Sequence, residues 1–541
     1  MITDSRDYLM SSFAVKRVLC GIAFFLCLLS PIKARTHRVF RVSSYGIEGR
    51  SIAKLVSDVN RNHGGRIVFP KGKTIVLTID EDPNGGHRLL PQDSSIPFSF
   101  KDCSYLDIDL NGSTIVLDKN HSSKYALFCF FNCRSFSLRN GSIVGDAMNH
   151  DYSPVVYMGN REDSSHEWGH GIMVIGSKGK VTDLSVSYMC GDGLYVASYR
   201  KSGTVLDARI ELNSCDIGFC RRNGVSCASN TGFKLINSTI HNIGSLGSII
   251  GADPRAGVDF EYEDGVHCLG EVVITGCTIR DCEKKTVTSS NVSVPKVLSF
   301  LIEKSSFSVS SFQIANLESV GGKSVRNCCF DKVPINCGDS FIDSCKFIMG
   351  SKLHYVHGTS FSNCEFVGSL DGLSGPYGCA IVGNSLDTAR FNKCMFRDVR
   401  GLDNSSPAYQ GISGFNFPLN AYFKGCTFMN TSFVKGNPKY ESSFVFEDCL
   451  LSNGCMIYNE GGSAVLFRNS TVNNVNSYHT QSGVFIFENC EVIQDDESIE
   501  NPLLYFGTHL FKNSRIINKL SVTPQMRKKG VTRIKLLEVS E

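Results

Sequence analysis

A short pattern dominates this sequence: a polar or small residue, then Cys or Ser, then any residue, then Ile, Val, Leu or Phe. It recurs thirteen times between residues 214 and 516, as in Ser-Cys-Asp-Ile at 214–217, Gly-Cys-Thr-Phe at 425–428 and Asn-Ser-Arg-Ile at 513–516. Weaker copies stand at 111–115 and 140–143. Successive copies lie 17 to 32 residues apart, with one gap of 39. A period of this size marks units that each contact only their neighbours. Helical repeats need apolar residues every third or fourth position. Here the flanking segments alternate instead, as at 444–449 and 485–490. Short strands stacked rung upon rung make a parallel β-helix, in which identical positions line up about 4.8 Å apart. The 541 residues would suit several ordinary domains at roughly 100–200 residues each; the repeat makes them one all-β solenoid.

Stacking also accounts for the composition. There are 36 Phe against one Trp, and the last position of the repeat collects Phe307, Phe330, Phe347, Phe366, Phe396 and Phe428. Nine of the 23 Cys (215, 277, 328, 345, 364, 394, 426, 449 and 490) occupy the second position. A free Cys packs as a small buried hydrophobe, so these are expected to be core residues rather than a disulfide framework. No Cys-x-x-Cys or Cys/His spacing of a zinc site occurs. The 55 Lys and Arg balance 52 Asp and Glu, which argues against a nucleic-acid partner. A hydrophobic content of 42% excludes a mostly disordered chain.

Lys16 and Arg17 precede an apolar run at 18–29, broken by Ser30 and Pro31, with Ala34 as a small cleavage residue. Charge, short apolar core and small residue read as a signal peptide, with translation starting at Met1 or Met10. The run is shorter than the ~20 residues of a spanning helix. The expected organisation is a signal peptide at 1–34, an amino-terminal cap and first rungs at 35–80, a β-helix at 81–520, and a carboxy-terminal cap or tail at 521–541. The expected location is outside the cytoplasm: secreted, periplasmic or at the cell surface, with no membrane span after processing. The oligomeric state is left open.

Ile52, Leu55, Val56 and Val59 are spaced as on one face of a helix, which would cover the open end of the first rung. Tyr45-Gly46 and the Gly64 to Lys73 segment around that helix resemble the opening of the pectate-lyase-like superfamily of right-handed parallel β-helices. The Asp-rich part of that opening is replaced here by Ile47-Glu-Gly-Arg-Ser. The resemblance covers about 40–516 and implies a right-handed, single-stranded β-helix with a short capping helix. It implies an activity only broadly, because the superfamily holds lyases, hydrolases, epimerases, phage spikes and adhesins.

Four rungs share a register on Gly171, Gly193, Gly224 and Gly257. Strand alternation then sends Ile172, Leu194, Val225 and Val258 inward and Met173, Tyr195, Ser226 and Asp259 outward, with Glu261 two further on. The preceding turn stacks His170, Asp192 and Asn223, with Arg222 and Arg255 beside them. The catalytic candidates are therefore Asp192, Asp259, Glu261 and His170. Asp259 and Glu261, about 7 Å apart by strand rise, suit acid and base on a glycosidic bond; Asp192 is the alternative second carboxylate. Substrate-binding candidates are Arg222 and Arg255 for an acidic sugar, Tyr195, and the loop residues His166 and Trp168. This segment resembles bacterial β-helix proteins with "His-Glu-Trp-Gly", "Gly-Asp-Gly-Ile-Tyr" and "Gly-Val-Asp-Phe-Glu" elements, which are mostly regarded as carbohydrate-active. The superfamily's best-known hydrolase signatures are absent.

No cofactor is expected, although Asp259, Glu261, Glu263 and Asp264 offer oxygen ligands for Ca²⁺. Three readings follow for a polysaccharide or oligosaccharide partner: a glycoside hydrolase; a lyase or epimerase with His170, Tyr195 or Arg222 as base; or a non-catalytic glycan-binding or adhesion protein.

Overall fold

The computed structural model describes residues 38–520 and 536–538, except 47–48, 81–94, 154–165, 262–267, 290–295, 369–379, 383–387, 400–414, 417–419, 436–442 and shorter stretches. The signal-peptide segment and most of the expected tail lie outside the described residues. The chain divides into two compact units, Met1–Val39 and Phe40–Glu541, and the second carries the fold.

That unit is a parallel β-helix. One 34-stranded sheet supplies two strands per coil; a separate 12-stranded sheet supplies the third as far as Phe415–Asn416, and a three-stranded sheet does so after it. A typical coil runs Lys323–Arg326, Cys329–Asp331 and Pro334–Asn336. Each strand pairs in parallel with its counterpart in the next coil, as in Phe330↔Phe347↔Phe366.

The repeat is the corner between the first two strands of a coil. Its leading residue is left-handed at nearly every copy: Ser214, Asn237, Asn327, Lys393, Asp448 and Asn513 all have φ near +50°. Asn and Asp tolerate that region best and Gly, as at 276 and 425, needs no tolerance. The second residue is buried at every Cys copy, and every described cysteine is a free thiol. These side chains do more than pack. The Cys394 N–H donates to Cys426 Sγ at 3.4 Å, and the N–H groups of Cys215, Cys277, Cys449 and Cys490 donate to Ser Oγ one coil on at 3.0 to 3.1 Å. The thiols lie near backbone carbonyls, as Cys426 Sγ does with Phe391 O at 3.4 Å. Position two therefore satisfies a corner N–H group that would otherwise be buried without a partner, which is why either Cys or Ser serves there.

The fourth residue points inward. Phe307, Phe330, Phe347, Phe366, Phe396 and Phe428 stack with ring centroids 4.6 to 5.2 Å apart. A second stack that the repeat does not announce runs from Phe361 through Phe391, Phe423, Phe446, Phe467 and Phe487 to Phe511 at 4.9 to 5.0 Å. The two meet edge to face, as in Phe366–Phe391 at 6.1 Å and 71°. Offset stacks and edge contacts are the favoured aromatic geometries.

The helix Gly49–Arg61 lies at the amino-terminal end of the coil. Ile52, Leu55, Val56 and Val59 are buried, and Asn60 Nδ2 donates to Ser99 O of the first rung at 2.9 Å. At the other end Leu536–Glu538 pairs with Thr508–Lys512. No helix among the described residues is long and apolar enough to cross a membrane.

Candidate functional site

The strands Trp168–Ile175, Leu194–Ala197, Val225–Ala228 and Ala256–Glu261 are neighbours in the 12-stranded sheet. Their register is the one read from the glycines: Met173↔Tyr195↔Ser226↔Asp259 in one column and Ala228↔Glu261 two residues on. The glycines are needed by close approach. A Cβ on Gly171, Gly193 or Gly224 would stand 2.6 to 2.8 Å from the carbonyl oxygen of the glycine one coil on.

The outer face of these strands is not solvated. Met173, Ile175, Tyr195, Ala197 and Ala228 form a second hydrophobic cluster with Ile96, Ala126 and Cys129. Beside it Asp192 is 0% and Asp259 2% exposed. Arg222 organises the polar part. Its Nη1 donates to Asp192 Oδ2 at 3.0 Å and Ser226 Oγ at 3.2 Å, its Nη2 to Glu261 Oε1 at 2.8 Å, and its Nε lies 3.9 Å from Glu167 Oε2. Asn223 supports the group from below, donating from Nδ2 to Ser226 Oγ at 3.0 Å and Asp259 Oδ2 at 3.4 Å and from its backbone N–H to Asp192 Oδ1 at 3.1 Å.

Four carboxyl groups thus surround one guanidinium. If all four were ionised, this buried site would carry a net charge of about −3, which low-dielectric surroundings do not tolerate. The protons settle accordingly. Burial pushes Asp192 up to about 7 against the pull of Arg222. Burial also drives Asp259 well up, reinforced by the neighbouring Glu261 charge and a hydrogen bond to it. Glu167 is raised by burial, with Arg222 opposing. Burial works against the Glu261 charge too, but Arg222 and the hydrogen bond with Asp259 outweigh it and hold Glu261 below the usual range. Of the four, only Glu261 is held below its usual range, while burial favours the protonated form of the other three. The parts of the group nearest solvent are Arg222, Glu167 and Glu261, with side chains 14%, 17% and 20% exposed.

His170 is fully buried and stacked on Tyr195 at 5.2 Å and 18°, with Trp168 edge-on at 6.0 Å. Lys124 Nζ sits 4.7 Å from the Trp168 ring centroid. The Asp192 N–H donates to His170 Nδ1 at 3.1 Å, which leaves the ring proton on Nε2. Burial, then Arg222 and Lys124, keep this imidazole neutral. Its Nε2 finds no hydrogen-bond partner among the described residues.

Seven expected residues therefore come together: His170, Asp192, Asp259, Glu261, Arg222, Tyr195 and Trp168. Two do not. His166 is buried beside a different group, with Nδ1 3.0 Å from His150 Nε2, while His150 Nδ1 lies 2.7 Å from Asp146 Oδ2. Arg255 turns away to Asp253 at 3.2 Å and to Glu283. Asp259 and Glu261 lie two residues apart on one strand, as expected, and their side chains hydrogen-bond to each other. Of the Ca²⁺ candidates, Glu263 and Asp264 lie outside the described residues, and Asp259 and Glu261 face a guanidinium. The sequence reading missed Glu167, Asn223 and Ser226. The sequence placed Asn223 in the turn stack and Ser226 in the outward column without giving either a role.

No family model matches the chain. The SPbeta prophage-derived uncharacterized protein YorA of Bacillus subtilis is 25% identical over 234 residues, 41% of this chain and 37% of that protein. The uncharacterized protein YclG of the same organism is 30% identical over 156 residues, 27% of this chain and 24% of that protein. The chain thus matches well under two thirds of either relative's length. Among solved structures, the A-module of the mannuronan C-5 epimerase AlgE6 of Azotobacter vinelandii is 12% identical with a TM-score of 0.31, covering 89% of this chain and all of the other. A GH87 α-1,3-glucanase catalytic domain in complex with nigerose is 10% identical with a TM-score of 0.29, covering 91% and 69%. With TM-scores this low, neither carries an argument about this chain's reaction. The fold rests on the strand pairing described above.

Proposed function

We propose that this chain is an exported enzyme that cleaves a polysaccharide, with Glu167 and Glu261 as acid and base. One observation carries the reading: two part-exposed carboxyls lie on different nitrogens of one guanidinium, and their surroundings push their hold on a proton in opposite directions. Glu167, protonated, would deliver its proton to the leaving glycosidic oxygen. Glu261, ionised, would attack the anomeric carbon or take a proton from the attacking water. Arg222 donates to Glu261 and lies 3.9 Å from Glu167, so it stands beside both. Asp259 is a positioning residue that donates to Glu261, and Asp192 anchors Arg222 from beneath. The half-buried Trp168 supplies an aromatic face suited to a sugar ring, and the buried Tyr195 backs it. Export is supported by the charged and apolar segment at 16–34.

The His170 Nε2–H favours a second reading, elimination or epimerisation at a uronate. There a neutral imidazole beside Tyr195 would serve proton transfer while Arg222 neutralises the sugar carboxylate.

The test is degradation of a panel of plant, algal and bacterial polysaccharides by the mature chain, followed by Glu261→Gln and Glu167→Gln. Each is expected to lower turnover by about 10²–10⁴-fold in a chain that stays folded at the assay temperature, which a melting curve checks. New reducing ends without an ultraviolet-absorbing double bond identify hydrolysis; the double bond identifies elimination. Full activity in Glu261→Gln, or glycan binding with no turnover on any polymer, sinks the proposal.

A further inference from the structure

The strands that follow the site strands in each coil, Lys178–Ser187, Arg209–Asn213 and Gly232–Ile236, belong to the large sheet. They line a surface groove of about 360 Å³. Two outward rows cross it. One reads Lys178↔Arg209↔Gly232 and the other Lys180↔Glu211↔Lys234. With Arg134, five cations face two anions, Glu211 and Glu271. Lys180 is paired with Glu211 at 3.2 Å. Arg134, Lys178, Arg209 and Lys234 are exposed and make no ion pair among the described residues. Gly232 is part of the construction. A Cβ there would lie 3.0 Å from Arg209 Cγ and 3.1 Å from its Nε, so the missing side chain lets Arg209 lie along the groove floor. Tyr105, 37% exposed, closes one end with a ring face.

We propose that this groove is an accessory binding site for an acidic polysaccharide. The cations are spread over four successive coils, about 4.8 Å apart. That spacing suits a polymer carrying charge along its length, because a single small anion is held by donors that converge on one point. The exposed ring suits sugar rather than a bare ion. The net charge of the whole chain, +3, is low for a nucleic-acid binder. The choice of a sugar polymer rests on the carbohydrate-active reading above, but the groove shares no residue with the Arg222 cluster, so binding and cleavage fail independently.

Affinity electrophoresis in gels containing polygalacturonate, dextran sulfate or neutral dextran tests this. The mature chain is expected to be retarded by an acidic polymer and not by dextran, with retardation falling as salt rises. The triple variant Lys178→Glu, Arg209→Glu, Lys234→Glu should weaken binding at least tenfold. Glu271→Lys should tighten it, a gain that misfolding does not produce. Glu261→Gln should bind as the unaltered chain does. Equal retardation by dextran, unchanged binding in the triple variant, or retention by DNA but not by acidic glycans overturns the proposal.

Discussion

The coils beyond residue 300 and those from 166 to 261 turn on the same corner, yet they treat charge in opposite ways. In the later coils, cations and anions meet across neighbouring strands at the surface: Lys346–Glu365 at 3.1 Å, Lys424–Glu447 and Arg468–Glu488 at 2.8 Å. Such exposed pairs are worth about 0–1 kcal/mol. In the earlier coils one guanidinium serves several carboxyls that are shut away from water. The geometry of each contact is similar; the surroundings differ. The scaffold tolerates either arrangement because its stability comes from the interior, and the outer face is left to be adapted.

Removing the arginine in each region should separate the two most widely. Arg222→Ala strands Glu261 and is expected to cost about 3–5 kcal/mol. Arg468→Ala should cost about 0–1 kcal/mol. Denaturant unfolding of both variants reads this directly, and similar costs would end the contrast. The interior gives the next largest effect. Phe366→Ala, in the middle of one ring stack, is expected to cost about 3–5 kcal/mol, whereas Ile279→Val, in the same inward column of an earlier coil, should cost about 0.5–1.5 kcal/mol.

The buried carboxyls also predict how stability depends on pH. Asp192 moves from 3.8 to about 7 on folding. Between those values the folded chain binds a proton that the unfolded chain has released, so this group's contribution is full below about 4 and is lost as pH rises toward 7. Melting temperatures across that window should fall for the unaltered chain and show a shallower slope in Asp192→Asn. An unchanged slope would show that Asp192 ionises normally. The smallest effect belongs to the corner. Cys426→Ser keeps an acceptor for the Cys394 N–H and should stay within about 1 kcal/mol, whereas Cys426→Val leaves that N–H unpaired at about 1–3 kcal/mol. Equal costs would reduce the Cys/Ser column to simple packing.

Much of this was legible because a repeat states the same constraint many times. The polar residue that opens each copy marks a left-handed corner, the Cys or Ser caps it, and the Phe column follows from stacking. The outward register of Tyr195, Ser226 and Asp259 could be read from the glycine columns for the same reason. The candidate site was less legible. Glu167 stands in a segment with no copy elsewhere in the chain, and its contact with Arg222 arises only because Gly191, whose Cβ would lie 2.2 Å from Glu167 O, lets the two turns touch.

By itself, then, the sequence determined the coil, its corners and its inward columns, since these depend on local backbone preference and on a period of one strand stacked on the next. Only the tertiary structure decided between Arg222 and Arg255, which look alike in sequence yet pair in different directions. It also brought the side chains of Asp259 and Glu261 into a shared hydrogen bond. Both outcomes depend on which groups are removed from water together, and burial is a property of the packed coils that no single strand carries.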